Sequence, residues 1–414
     1  MKMARAKETI AMECRRTQWR GRPGHSLAND RLALCFLLGG GHLASLSCRT
    51  GRARGVNLLW EANWRTIDPQ KYSPRTHGRK FGPPPAGQFL SGFTGHALCL
   101  GYFGAPSNEE TKLGLPLHGE AASSRWTANT KRASRDSVTL KLRVTSPDAG
   151  LKLERDISMR SGEAVAHVSE TLTNQRRCDS YFQWVQHVTF GPPLLSAGES
   201  VCLVPGSRSK TWPLGYEGKC ALKDDSEFLW PSAPGNDGTP HDLSQPFARE
   251  GRGFVAATLL DQNSETGYVA VLNWRLGLIA GYIFRTSDFP WVAIWEENRA
   301  RTGPPWNGKT QARGVEFGTS PMPLGLRDAI EAGPLFGVPT VRCLPARSQL
   351  KTSYAIFAAE APPDWRTISA ITASDDAIVI AGPDPRQTIV LPAAGLGKLK
   401  SNQKEQQGTH AAGH

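Results

Sequence analysis

Apolar residues recur at every second position over long stretches of this chain. Val138, Leu140, Leu142 and Val144 alternate with polar neighbours, and Leu151, Leu153, Ile157 and Met159 resume the pattern after Asp148-Ala149-Gly150. A period of two places one set of side chains on one face of an extended strand, which a helix cannot do. Two such runs around a short turn read as an antiparallel pair with one buried face. Further strand-length runs fall at 254–260, 267–274, 277–284, 291–295 and 353–358. Turn residues separate them, as in Pro234-Gly235-Asn236-Asp237-Gly238 and Thr302-Gly303-Pro304-Pro305. The 42 Gly and 30 Pro suit many strands joined by turns.

Strands at this density predict an all-β protein, a large antiparallel β-sandwich. Short helices are predicted only near 107–113 and 325–332. Residues 28–395 read as one sandwich domain, with strands at Ala377–Ala381 and Thr388–Leu391 completing an edge. Residues 1–27 read as a loose basic leader with one pairing strand at most, and 399–414 as a disordered polar tail.

The chain has 414 residues, of which 39% are hydrophobic, enough for one large core or two ordinary ones. Its net charge of +12 is dispersed. The local clusters (Arg15-Arg16, Arg52 with Arg54, Lys398 with Lys400) sit at termini or in loops, and none interleaves with aromatics. This is solvated surface charge rather than a nucleic-acid or membrane surface. A phosphate-bearing substrate remains open. The N-terminus has no apolar core of a signal peptide and no run reaches membrane-spanning length, so a soluble cytoplasmic protein is expected. The eight cysteines contain no CxxC pair, and several lie in apolar runs such as Leu34-Cys35-Phe36, which suits reduced buried thiols.

Chemistry concentrates in three phrases. His118 lies in Pro116-Leu117-His118-Gly119-Glu120, where Gly119 permits an unusual backbone path. His187 lies on a strand-like run whose one face carries Gln183, Val185, His187 and Thr189. That face is polar enough to line water or a ligand. Glu316 follows in Arg313-Gly314-Val315-Glu316. A strand at 291–295 would place Trp291, Ala293 and Trp295 on one face, with Glu296 and Glu297 at its end. No paired His/Cys spacing suggests a metal. Gly39-Gly40-Gly41-His42 lacks the ending of a phosphate loop and reads as a hairpin turn, and no GxSxG nucleophile elbow exists.

In order, these phrases resemble the galactose mutarotase-like superfamily, which includes the aldose 1-epimerases. Leu117-His118-Gly119 with Trp126 is similar to the family's first histidine phrase. Gln186-His187-Val188-Thr189-Phe190 is similar to the second. Gly314-Val315-Glu316 stands where the family places its catalytic Glu, and His96 stands where it has a hydroxyl-binding Arg. The resemblance implies a β-supersandwich with a concave ligand cleft, no cofactor, and a sugar or sugar derivative as partner. It implies an aldose 1-epimerase-like isomerase with Glu316 as base, His187 as acid and His118 as a positioning or secondary acid group. His96 and Arg313 would bind substrate, Trp184 and Trp295 would stack on the sugar, and Glu296 and Glu297 would be reserve carboxylates. Two alternatives stand beside it. One is a carbohydrate-binding protein without catalysis. The other is a hexose-6-phosphate epimerase, which would need Arg285, Arg299, Arg301 and Arg313 clustered in the cleft. The sugar and the oligomeric state are left open.

Overall fold

The computed structural model describes residues 12–132 and 134–399. The first eleven residues of the expected leader, and the expected tail from residue 400, lie outside the described residues. Two antiparallel sheets carry the fold, one of 14 strands and one of 8, with a separate three-stranded sheet near the C-terminus. Across the middle of the large sheet the order runs Leu43–Cys48, His96–Gly101, Ser180–Phe190, Gln311–Gly318, Trp291–Asn298, Arg252–Leu260 and Gly206–Thr211. The small sheet includes the predicted pair Ser137–Ser146 and Leu151–Arg160, in register from Ser137 opposite Arg160 to Ser146 opposite Leu151.

The main core lies between the two sheets. Leu140, Leu142, Leu153 and Ile157 of the small sheet meet Leu98, Leu100, Trp184, Val188, Val315, Phe317 and Ile294 of the large one. Each is fully or almost fully buried, and each large aliphatic side chain so placed contributes about 1.5–3 kcal/mol. Alternation then fixes the opposite face of the large sheet. Val185, His187 and Thr189 project there, beside Ala97 and Cys99 on one flank. On the other flank are Gly314, Glu316 and Gly318, then Trp291, Ala293 and Trp295. The functional phrases therefore sit on the outer face of the large sheet, away from the core.

Three expectations need correction. Residues 13–28 are not a loose leader: Glu13–Trp19 and Arg22–Ala28 pair along their full length and begin the large sheet. The reason is visible in burial, since Leu27 joins the main core and Ala28 is also buried, while Arg15 and Arg16 are exposed. The C-terminal strands do not complete an edge. Ala370–Ala373, Ala377–Ala381 and Thr388–Pro392 form their own sheet, whose Ile371, Ile378 and Ile380 pack with Trp365 on Leu272, Ile279 and Phe357 of the small sheet's outer face. Helices Asn108–Lys112 and Leu326–Ala332 lie where predicted, but Pro74–Phe81 and Ala86–Gly92 are additional. Among the described residues no helix is long and apolar enough to cross a membrane. Of the cysteines, Cys48, Cys99 and Cys202 are buried, whereas Cys178 and Cys343 are at the surface.

Candidate active site

A cavity of about 590 Å³ opens on the outer face of the large sheet. Its floor is His187, Glu316, Ala293 and Trp295 from the strands, and His118 reaches it from a loop. The strand register pairs Gln186 with Phe317 and Thr189 with Gly314, which sets His187 opposite Glu316. Nε2 of His187 stands 3.3 Å from Oε1 of Glu316. The other ring nitrogen, Nδ1, lies 3.2 Å from the Thr189 hydroxyl.

Gly314 makes room for this carboxyl. A Cβ at 314 would meet Glu316 Oε1 at 2.1 Å, so the side chain folds back over a position where only hydrogen fits. His118 is held by a different device. Its backbone N–H donates to Gly104 O at 2.9 Å, and the Gly104 N–H donates back to His118 Nδ1 at 3.2 Å. A donor at Nδ1 places the ring proton on Nε2. His118 and Gly119 both take left-handed backbone, at φ 65° and 82°. For a histidine this is a strained conformation, of the kind that clusters at functional sites. At Gly119 a Cβ would strike Leu100 O at 2.1 Å.

Aromatic rings enclose the imidazoles. Phe103 stacks on His118 at 5.5 Å between centroids, and Phe89 meets it edge-on at 4.9 Å. His118 and His187 stand 5.3 Å apart, nearly perpendicular. Phe93 and Trp295 pack on His187 at 5.1 and 6.1 Å. Burial disfavours charge here. It pushes His187 down to about 3, His118 well below its ordinary value, and Glu316 well above the usual carboxyl range. Burial therefore favours the neutral form of both members of the His187–Glu316 pair.

At the far wall, Trp295 Nε1–H donates to the Tyr216 hydroxyl, which donates to Glu297 Oε2, both at 2.8 Å. The Arg301 guanidinium lies 4.5 Å over the Tyr216 ring and 5.2 Å from that of Trp306. Its Nε donates to Glu217 at 2.9 Å. Among the described residues no cluster of three or more His, Cys, Asp or Glu is arranged to hold a metal ion.

Of the catalytic and substrate-binding residues expected from the sequence, His118, His187, Glu316 and Trp295 meet in this cavity, whereas His96, Trp184, Glu296, Glu297 and Arg313 do not. His96 is opposite Val188 and so points inward, where Nε2 lies 2.9 Å from Gln186 Oε1. Trp184 is buried in the main core against Phe182 and Phe289. Glu296 and Arg313 form an ion pair on the core side of the sheet, with Arg313 also donating to Leu243 O and Gln245 O. Glu297 lies behind the wall, accepting from the backbone of Ala300 and Arg301 as well as from Tyr216. The arginine cluster needed for a hexose phosphate is not assembled. Arg285 is tied to Asp288, Arg299 to Glu250 and Arg313 to Glu296, and of the four Arg301 alone borders the cavity.

Sequence reading missed Phe89, Phe93, Phe103, Tyr216 and Trp306 as lining residues. The turn cluster before Trp306 was a usable signal, because loops at strand ends carry binding residues. Phe89 and Phe93, four apart, needed the unrecognised helix Ala86–Gly92 to be placed.

The chain belongs to the family described as a domain of unknown function, DUF4432, whose profile matches residues 45–319. Its fold is similar to that of a Klebsiella pneumoniae protein described as a candidate aldose 1-epimerase, at 17% identity and TM-score 0.58, over 82% of this chain and 80% of that one. A galactose mutarotase-like protein from Clostridium acetobutylicum matches at 11% identity and TM-score 0.55, over 84% and 99%. A candidate aldose 1-epimerase from Escherichia coli matches at 13% identity and TM-score 0.52, over 81% and 98%. The fold is thus galactose mutarotase-like, in a divergent form. No curated protein sequence matches the chain.

Proposed function

We propose that this protein interconverts the anomers of a reducing sugar by opening and reclosing its hemiacetal ring. The observation that carries this reading is the proton-sharing pair, with His187 Nε2 3.3 Å from Glu316 Oε1 at the floor of a cavity of about 590 Å³. A hemiacetal carbon bears two oxygens. A donor and an acceptor standing side by side can serve both at once.

The directions in which burial moves the two groups support the following roles. Glu316 carries the proton and gives it to the ring oxygen, while neutral His187 takes the proton from the C1 hydroxyl. The bond between C1 and the ring oxygen breaks, leaving an open-chain aldehyde. The C1–C2 bond rotates. The ring hydroxyl then attacks the other face of C1, returning its proton to Glu316, and His187 returns its proton to the carbonyl oxygen. No cofactor is required and each group ends as it began. This reverses the acid and base expected from the sequence. What supports the reversal is that burial raises the carboxyl and lowers the imidazole, which favours the proton on the carboxyl. His118, with its proton on Nε2, donates a hydrogen bond to a substrate oxygen and positions it.

Polarimetry on freshly dissolved single anomers of a panel of aldoses tests the reading. Wild-type protein is expected to accelerate the approach to equilibrium for at least one sugar, and His187→Ala to lower that acceleration by ~10²–10⁴. Spontaneous rates across the whole panel would sink it. Sugar binding without acceleration would leave a carbohydrate-binding protein instead. Gly314→Ala probes the same pair without touching either member. The added methyl must displace the Glu316 carboxyl, so a ~10- to 100-fold loss of exchange is expected, with circular dichroism unchanged. Full activity in that variant would show that the carboxyl's position is immaterial.

A further inference from the structure

The cavity offers few side-chain partners for hydroxyl groups between its two ends. Its catalytic end has His118, His187 and Glu316, and its outer end has the Arg301–Glu217 pair. Between them the walls are Phe89, Phe93, Trp295, Trp306, Leu90 and Val255. Within this band the polar side-chain atoms of Tyr216 and Trp295 are already engaged. The Tyr216 hydroxyl both donates to Glu297 and accepts from Trp295. A free hexose sunk here would bring several hydroxyls away from C1 that leave water without a replacement partner. Each such loss weakens binding, because a desolvated donor or acceptor without a partner is not compensated. Size points the same way. About 590 Å³ falls in the roughly 300–1,000 Å³ range of clefts that take drug-sized ligands, which are larger than one hexose.

Resting on the anomer-exchange reading above, we infer that the ligand is a reducing sugar carrying an apolar aryl or alkyl substituent away from C1. The hemiacetal lies on His187 and Glu316. The substituent lies against the Phe93–Trp295–Trp306 wall, where ring contacts and burial replace the hydroxyl contacts that the site lacks. That wall is built as one packed unit. Trp295 meets Phe93 at 6.2 Å and Trp306 at 5.9 Å, and Trp306 is backed by Trp64 at 5.1 Å. A rigid aromatic surface loses little freedom on binding, so contact with it converts efficiently into affinity.

Isothermal calorimetry on wild-type protein tests this. The probes are glucose and galactose, against their mono-O-benzyl derivatives with the benzyl group at each non-anomeric hydroxyl in turn. At least one derivative is expected to bind ~10-fold or more tightly than its parent, and Trp306→Ala to bring that ratio down toward one. Parents that bind as tightly as every benzyl derivative would overturn the inference, whether or not the variant folds. Anomer exchange of the same sugars, followed by NMR, separates this question from the proposed reaction. Preferred binding of a benzyl sugar without accelerated exchange removes the isomerase and leaves the ligand class. Accelerated exchange of the parents without a benzyl preference removes the ligand class and leaves the isomerase.

Discussion

Glu316→Gln is expected to reduce anomer exchange by ~10²–10⁴ while leaving the fold and its stability close to wild type. The amide keeps the shape of the protonated carboxyl and removes the transferable proton. Because burial already favours the neutral carboxyl, a neutral amide suits the same setting. The pH profile follows from the same pair. His187 has been lowered to about 3 by burial and Glu316 raised well above its ordinary range. The active form, with His187 neutral and Glu316 protonated, therefore persists from just above pH 3 upward. It is lost as pH rises through the raised Glu316 pKa. Activity at pH 5 should match activity at pH 6. If Glu316 worked instead as an ordinary ionised base, exchange would fall as pH dropped toward its usual value of about 4.3. A rate that collapses between pH 6 and pH 5 would contradict the assigned roles.

The largest effect on stability is expected from Glu170→Ala. Behind the strand that bears His187, a charged network crosses the core. Arg155 Nε donates to Glu170 Oε1 at 2.5 Å, and Gln186 Nε2 donates to Glu170 Oε2 at 2.8 Å. Gln186 Oε1 in turn accepts from Arg155 at 3.3 Å and lies 2.9 Å from His96. Arg155 and Glu170 are 1% and 0% exposed, so neither charge can be rescued by water. Removing the carboxylate strands a buried guanidinium. Breaking a pair of this kind costs about 3–5 kcal/mol. Urea denaturation of Glu170→Ala measures it, and a loss under about 1 kcal/mol would show that Arg155 relaxes to another partner. Since Gln186 is adjacent to His187, the network also fixes the strand that presents the imidazole.

Much of the sandwich was legible because alternation was. The run Leu151, Leu153, Ile157, Met159 reads directly as the inner face of a strand, and it is buried throughout. The same alternation carried more than was taken from it. Arg155 falls in register with those apolar residues, and Glu170 falls between Val168 and Leu172. Two opposite charges at inward positions are the signature of the buried pair. Parity also decides which site residues can meet. Trp184 is three residues from His187, and Arg313 three from Glu316. On a strand an odd spacing places two side chains on opposite faces. Trp184 and Arg313 therefore could not share the cavity, and Glu296 fails beside Trp295 for the same reason.

Other features had no local signal. His96 turns inward because its strand pairs with Val188 rather than with His187, a fact of register between distant segments. Helix Ala86–Gly92 contains Gly87, Ser91 and Gly92, poor helix formers. It is held by packing: Phe89 stacks on Phe93 at 4.7 Å and closes over His118. The C-terminal sheet was visible as strands, but its docking on the small sheet depends on an apolar outer face that local patterning assigned to no partner.

The most direct test of the central claim is two-dimensional exchange NMR on the C1 protons of a sugar that the protein binds. Wild type and His187→Ala are compared at equal occupancy. The His187–Glu316 pair predicts cross-peaks between the two anomers that grow with wild-type concentration and vanish in His187→Ala. Equal exchange in the two proteins, or none above the spontaneous rate with wild type saturated, would contradict it.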